Sequence, residues 1–335
     1  MIQMNALNIN GRIDTEEEVI SLCCESLPDI PRMAFAETPE ETLRRFMGEC
    51  ALVSAESQFL PEDGHRRFTS GCVGCPSYQE GTFQGDGRIH YINLSMYPAP
   101  CQSQCMYCGV CRDAQLMRSQ AAQAAYKKLF DTLHLAENCG LISPDTIWQV
   151  SSGEIAIHPY RDQIMELVRG KRTVFYTNCM KYDEGIAESL HGNQNAAINL
   201  SIDAGTPETW KKVKGIDNFD ETMSNLVNYH TKTVRPEQIT LKYIVLPDIN
   251  DTYEDYFSLA EIMKVLKVKR LSISRDVGKK YGMEGEEAAK LLGGTAYLLA
   301  VCHKNGIIND MSNFTPKERS QAVALAQEIL KEGKI

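Results

Sequence analysis

Three cysteines, Cys101, Cys105 and Cys108, share one short segment with gaps of three and two residues. Thiolates at that spacing can hold three corners of a cubane iron–sulfur cluster, whereas such clusters normally take four cysteines. One iron would then stay open, and an open iron can be chelated by a small molecule that carries an amine and a carboxylate. Two other chemistries use similar residues. Structural zinc sites more often pair two C-x2-C units. Cys111 stands close enough to close the cluster as a fourth ligand, which would make an electron carrier or sensor instead.

A second close pair, Cys72 and Cys75 around Val73 and Gly74, is a candidate for part of an auxiliary iron–sulfur cluster or for zinc, or is simply two thiols in a turn. Cys23, Cys24, Cys50, Cys139, Cys179 and Cys302 are scattered, as small core residues are. The N-terminal residues lack the basic and apolar stretches of a signal peptide, and no apolar run is long enough to span a membrane. The expected location is the cytoplasm, where thiols stay reduced, so the twelve cysteines do not read as a disulfide framework. With 44 acidic against 35 basic residues the net charge is -9, which argues against a nucleic-acid or anionic-membrane surface. A small or neutral partner is expected.

Such residues need elements to position them. Residues 1–86 read as a helical and irregular extension, with helix-period apolar residues over 16–26 and 40–57. From Arg88 the pattern changes to short β runs, each followed by a helical stretch, which is the signature of parallel βα units. Strands are expected at 89–96, 146–151, 173–177, 197–202, 239–246 and 270–274. Helices are expected at 113–136, 161–168, 183–190, 207–213, 219–229 and 253–266. Two closing helices follow at 284–303, interrupted by Gly293 and Gly294, and at 316–332. The fold class is α/β: a partial (β/α)6 TIM-type barrel over 87–283, preceded by the 1–86 extension and followed by C-terminal helices over 284–335. The cysteine segment then lies at the C-terminal end of the first strand, the end where barrels of this kind assemble their active sites.

Side chains alternate along a strand, so Asn199, Ser201 and Asp203 share one face while Leu200 and Ile202 share the other. A polar row on a buried parallel strand costs free energy unless something binds it. Asn93, Ser95 and Lys242 raise the same question. The row is either a satisfied hydrogen-bond network or the wall of a lumen that holds a polar ligand.

The spacing Cys101-x3-Cys105-x2-Cys108, with the aromatic Tyr107 before its last cysteine, resembles the cluster loop of the radical SAM superfamily. The resemblance covers roughly 88–276. It implies a [4Fe-4S] cluster on the three cysteines and S-adenosyl-L-methionine as cofactor, with the backbone at Tyr107 near the adenine. Ser151-Ser152-Gly153-Glu154 looks like the family's GGE motif, which binds the methionine amino group, with Ser152 in place of the first glycine. The segment Asn199 to Thr206 is similar to the fourth-strand segment that contacts ribose and carboxylate in members of the SPASM/twitch kind. The fifth strand, Leu241 to Pro247, lacks the glycine-containing adenine motif of some members. The cysteine array expected after the barrel is absent too, since Cys302 is the only cysteine beyond Cys179.

The activity implied is reductive cleavage of the cofactor to methionine and a 5'-deoxyadenosyl radical. That radical abstracts hydrogen from a small-molecule, sugar or nucleotide, or peptide substrate. A low-potential electron donor such as flavodoxin or ferredoxin is the implied partner. Cys179, after the third strand, is a candidate hydrogen-atom donor to a substrate radical. Lys242, and Arg275 with Asp276, are candidate contacts to the cofactor or a polar substrate, and His158 is expected in a loop, solvated or touching substrate.

Overall fold

The computed structural model describes residues 6–12, 18–22, 32–58, 86–109, 114–151, 153–276, 285–333 and 335. Cys72, Cys75, Cys111 and Ser152 lie outside them. The chain divides into two compact units, Met1–Pro100 with Val110–Val174, and Cys101–Gly109 with Phe175–Ile335.

The first unit contains β1 (Ala6–Arg12), β2 (Ile20–Ser21), β3 (Arg32–Met33), α1 (Pro39–Gln58), β4 (Ile89–Tyr97), α2 (Ala114–Met117), α3 (Gln120–Asn138), β5 (Ile142–Val150), a 3-10 turn (Ile155–Ile157) and α4 (Arg161–Leu167). Its strands are ordered β3-β2-β1-β4-β5. β4 pairs in parallel with both β1 and β5, while β2 runs antiparallel to β1 and to β3. Ile89, Ile92, Leu94 and Met96 of β4 are buried, as are Ala122, Tyr126, Leu129, Leu133 and Ala136 of α3, which keep helical spacing. α1 packs on α3.

Two expectations for this unit are corrected and one open question is answered. The stretch 16–26 is not a helix where it is described: Ile20 and Ser21 form β2, so the extension adds strands as well as α1. The helix read over 113–136 is two helices. Ser119 breaks them, its side chain accepting the Ala122 N–H at 3.1 Å as the N-cap of α3. The polar Asn93 belongs to a satisfied network: Ser151 Oγ donates to Asn93 Oδ1 (3.0 Å), Asn93 Nδ2 to Asn8 Oδ1 (2.6 Å) and Asn8 Nδ2 to Ser21 Oγ (3.2 Å).

β6 (Thr173–Thr177) begins at the end of the first unit and runs into the second. The second unit continues with α5 (Glu184–Gly192), β7 (Ala197–Ser201), α6 (Pro207–Lys214), α7 (Phe219–Lys232), β8 (Ile239–Val245), α8 (Tyr253–Val265), β9 (Arg270–Arg275), α9 (Gly285–Lys304), β10 (Ile308–Ser312) and α10 (Pro316–Lys331). Its strands are ordered β6-β7-β8-β9-β10, and β7 to β10 pair in parallel. Asp183, Thr206, Thr252 and Thr315 cap the helices that follow them, each accepting a backbone N–H with its side chain.

The six expected strands are all present, and the chain is α/β with parallel strands alternating with helices, as a partial (β/α)6 barrel requires. α9 is continuous through Gly293 and Gly294, against the expected break. A side chain at Gly294 would meet Asp251 Cβ at 3.0 Å and Tyr256 Oη at 3.3 Å, so close packing on α9 accounts for that glycine. β10 was not expected because its sequence, Ile-Asn-Asp-Met-Ser, carries no buried face: no residue of it is fully buried.

Candidate cofactor site

The cysteine loop belongs to the second unit. Cys101, Cys105 and Cys108 are each half-buried and none is in a disulfide. The last turn of an α-helix leaves carbonyls without intrahelical partners, and here the loop supplies donors to them. Gln104 N–H bonds Lys214 O at 2.8 Å, Met106 N–H bonds Val213 O at 3.0 Å, and Ser103 Oγ lies 3.3 Å from Lys214 O. α6 ends there because Gly215 takes a left-handed conformation (φ +69°), and a Cβ on it would fall 2.9 Å from that of Gln104. Within the loop, Cys108 N–H bonds Cys105 O at 3.1 Å. Polar groups also reach two sulfurs: Ser103 Oγ is 2.8 Å from Cys105 Sγ, and Asn178 Nδ2 donates to Cys101 Sγ at 3.5 Å.

Tyr107 does not present a free ring. It packs against Val213, Ile244 and Leu246, and its hydroxyl donates to Asp203 Oδ2 at 2.5 Å. Lys214 Nζ donates to the same carboxylate oxygen at 2.5 Å and to Tyr107 Oη at 3.1 Å. Asp203 Oδ1 accepts the Ile244 N–H at 2.6 Å. Burial, then the charges of Asp203 and Cys105, push the Tyr107 hydroxyl well above its usual pKa.

The row Asn199, Ser201, Asp203, open in sequence between a hydrogen-bond network and a ligand wall, divides here: β7 ends at Ser201 and Asp203, at φ +51°, joins a hydrogen-bond network. Alternation stops where the strand stops. Both carboxylate oxygens are taken by protein donors, and the residue is 0% exposed. Asn199 and Ser201 remain half-buried on β7. Among the described residues Asn199 Oδ1 is a buried acceptor with no partner, and so is Gln102 Oε1 next to Cys101 in the chain. Leaving such acceptors empty costs about 1–3 kcal/mol each. A ligand rich in N–H and O–H donors fits them.

Lys242 pairs with Ser201 across β7 and β8. Arg275 is 3% exposed and its guanidinium is engaged by Glu318 of α10. Cys179 is fully buried with φ +54°; its N–H bonds Thr177 Oγ1 at 3.0 Å and its carbonyl accepts from Asn225 Nδ2 at 2.9 Å.

In the first unit, Gly153 and Glu154 follow β5. Gly153 has φ +58°, and a Cβ there would lie 2.4 Å from Pro100 O. Only glycine allows that approach, which lets Glu154 N–H bond Pro100 O at 2.8 Å. The Glu154 side chain is 0% exposed, and its Oε1 accepts the Ala156 N–H at 3.2 Å.

His158 is neither solvated nor in an open loop, as expected from sequence, but 4% exposed. Its tautomer follows from its neighbours. Tyr160 N–H donates to Nδ1 at 3.2 Å, so the ring proton sits on Nε2 and is donated to Tyr126 Oη at 3.0 Å. The tyrosine hydroxyl then donates to Pro98 O at 3.3 Å. Desolvation lowers the His158 pKa from 6.5 to about 4, which keeps the ring neutral.

The donor set suits an iron–sulfur cluster: three accessible thiols on one anchored loop, two of them met by polar groups. Among the described residues no three Cys, His, Asp or Glu side chains are already gathered as a metal cage, so the fit rests on the loop's donor chemistry and anchoring. Sequence reasoning missed Lys214, Ser103 and Asn178. The signal available for Lys214 was its spacing of four from the buried Trp210, which puts it on the inward face of α6.

An α/β domain of parallel βα units bearing this cysteine loop defines a class of cofactor-binding protein, and comparison with known families gives it a name. Residues 100–260 match the Radical SAM superfamily model, so the chain carries a radical SAM domain there. The family implies a [4Fe-4S] cluster and S-adenosylmethionine. Among solved structures, Streptococcus suis SuiB is similar at TM-score 0.49 and 13% identity over 86% of this chain and 56% of that one. SuiB bound to S-adenosylmethionine is similar at TM-score 0.49 and 12% identity, over 82% and 53%. Native anSMEcpe with bound AdoMet matches at TM-score 0.49 and 16% identity, over 66% and 63%. The chain thus spans a little over half the length of the SuiB structures. No curated protein matches it. No helix among the described residues is long and apolar enough to cross a membrane.

Proposed function

We propose that this protein cleaves S-adenosylmethionine reductively with a [4Fe-4S] cluster on Cys101, Cys105 and Cys108, and directs the 5'-deoxyadenosyl radical at a C–H bond of an organic substrate. The observation that carries the reading is the loop itself: three half-buried thiols, none in a disulfide, on a segment stitched to the end of α6, with the Gln102 side-chain oxygen of the same loop lacking a donor among the described residues. When bound, the cluster supplies the electron that breaks the C5'–S bond, leaving methionine and the radical.

The chain's own residues bind, orient and exclude water. Glu154, Gly153 and Ser152 are assigned to the methionine amino group. Asn199 and Ser201 are assigned to the ribose and carboxylate, and Tyr107 contributes its backbone, its hydroxyl being occupied. Lys242 and Arg275 are assigned to polar groups of cofactor or substrate, and Cys179 to hydrogen return. The substrate belongs to the small-molecule, sugar or nucleotide, or peptide classes, and the electron comes from a low-potential donor such as flavodoxin or ferredoxin.

Anaerobic reconstitution followed by dithionite and S-adenosylmethionine should yield 5'-deoxyadenosine, and Cys105→Ala should yield none. Formation by the Cys105 variant would sink the reading. Cys111→Ala should leave both cluster and cleavage intact, whereas loss of the cluster would favour the closed-cluster carrier.

A further inference from the structure

We propose that the last turn of α6, Val213-Lys214-Gly215, is the anchor that sets the shape of the cysteine loop, with Lys214 as its positioning residue. The proposal rests on the reading that this loop carries the cluster, but the anchor exists in the chain without it.

Two kinds of contact converge on the turn. The first is backbone: Val213 O and Lys214 O, which helix geometry leaves unpaired, take the N–H groups of Met106 and Gln104. The loop is thus the C-terminal cap of α6, and Gly215 keeps the space that Gln104 needs.

The second is a buried charge. Lys214 is 0% exposed, whereas Lys211 and Lys212 on the same helix are exposed. A buried ammonium is very costly unless it is paired and hydrogen-bonded. Lys214 Nζ has Asp203 Oδ2 and Tyr107 Oη as acceptors, and lies 5.4 Å from the Trp210 ring centroid and 5.6 Å from that of Tyr107.

The pair joins three pieces distant in sequence. Tyr107 belongs to the loop, Asp203 to the exit of β7, and Ile244, which donates to Asp203 Oδ1, to β8. One residue, Lys214, thus holds the loop at the Tyr107 hydroxyl through its ammonium while its main-chain carbonyl accepts the Gln104 N–H. The backbone bonds and the Lys214–Asp203 pair involve no cysteine sulfur, although the Tyr107 hydroxyl also meets Cys105, so the loop is held before any iron arrives. Assembly on an ordered loop loses less conformational entropy than assembly on a free one.

The test measures amide hydrogen exchange in the iron-free chain and then the resistance of the reconstituted cluster to a chelator. In Lys214→Met, exchange at Gln104 and Met106 should rise about tenfold, the factor for a ~1.4 kcal/mol contact, while amides of β8 and β9 keep more of their protection. Cluster iron should be lost to EDTA about tenfold faster by the same factor. Lys211→Met should match wild type in both. Asp203→Asn combined with Lys214→Met leaves no unpaired charge and should fold more stably than Lys214→Met, yet still exchange fast at Gln104 and Met106.

If Lys214→Met does not fold, Tyr107→Phe is read in the same way, since it removes one hydroxyl and leaves the ion pair; exchange should then rise about threefold, as for a weak hydrogen bond. Wild-type rates of exchange and iron loss in the Lys214 and Tyr107 variants would overturn the proposal, as would a rise spread evenly over the whole second unit. A wild-type chain that protects these amides but takes up no cluster would overturn the cluster reading alone.

Discussion

The segment that leads to the cysteines and the segment that contains them are held by opposite kinds of chemistry. Pro98 and Pro100, in the first unit, are gripped by neutral groups. Their carbonyls accept from Tyr126 Oη and from Glu154 N–H, and the chain of donors behind the tyrosine ends on a His158 held neutral by burial. Residues 101–109, in the second unit, are held by a fully buried ion pair of Lys214 and Asp203 with the Tyr107 hydroxyl on top of it. A neutral hydrogen bond contributes about 0.5–1.5 kcal/mol net and tolerates loss of a partner moderately well. A buried ion pair adds little net stability, but breaking it leaves an uncompensated charge. The lead-in is therefore fixed by several weak contacts that can fail singly, and the loop by a contact that holds entirely or fails badly.

The largest effect should come from the ion pair. Asp203→Ala strands the Lys214 ammonium and should destabilise the iron-free protein by about 3–5 kcal/mol in urea unfolding. A loss under about 1 kcal/mol, the range of exposed pairs, would erase the contrast between the two segments.

Acid should reach the lead-in. His158 titrates near 6.5 when unfolded and at about 4 when folded, so the unfolded chain binds the proton more tightly. The contribution of the neutral ring is present above 6.5 and is lost as pH falls from there through about 4. The total is roughly 3 kcal/mol, from the size of the shift. His158→Gln, neutral throughout, should flatten that limb of the stability–pH curve. A limb of the same depth in the variant would mean that His158 is not its source.

Much of this was legible in sequence, and the failures have physical causes. The strands of the βα units announce themselves because they are apolar runs buried in parallel pairing, and the cysteine loop because its spacing is chemical. β1 and β10 lack such runs, since Asn8 and Asn10 interrupt one and no residue of the other is fully buried. The row Asn199, Ser201, Asp203 was read correctly as unusual, but alternation was carried two residues past the strand's end. At Asp203 the backbone leaves the strand and aims the carboxylate at Lys214, which periodicity in β7 alone cannot foresee. Lys214 was missed and His158 misread for one reason: a charged or titratable type gives no sign of burial until the partners that bury it are known.

The finest test of the contrast is Tyr126→Phe. The ring is fully buried and stacks on Tyr160 at 4.1 Å between centroids, so phenylalanine keeps the packing and removes only the hydroxyl. Pro98 O loses a donor and His158 Nε2–H loses its acceptor, both inside the protein. No charge is stranded, so the cost should be about 1–3 kcal/mol, the price of unsatisfied neutral groups. Urea midpoints of this variant and of Asp203→Ala, measured on iron-free protein at neutral pH, place the two side by side. Equal losses would mean that the neutral relay is as brittle as the ion pair, and that the two segments differ in composition but not in how they fail.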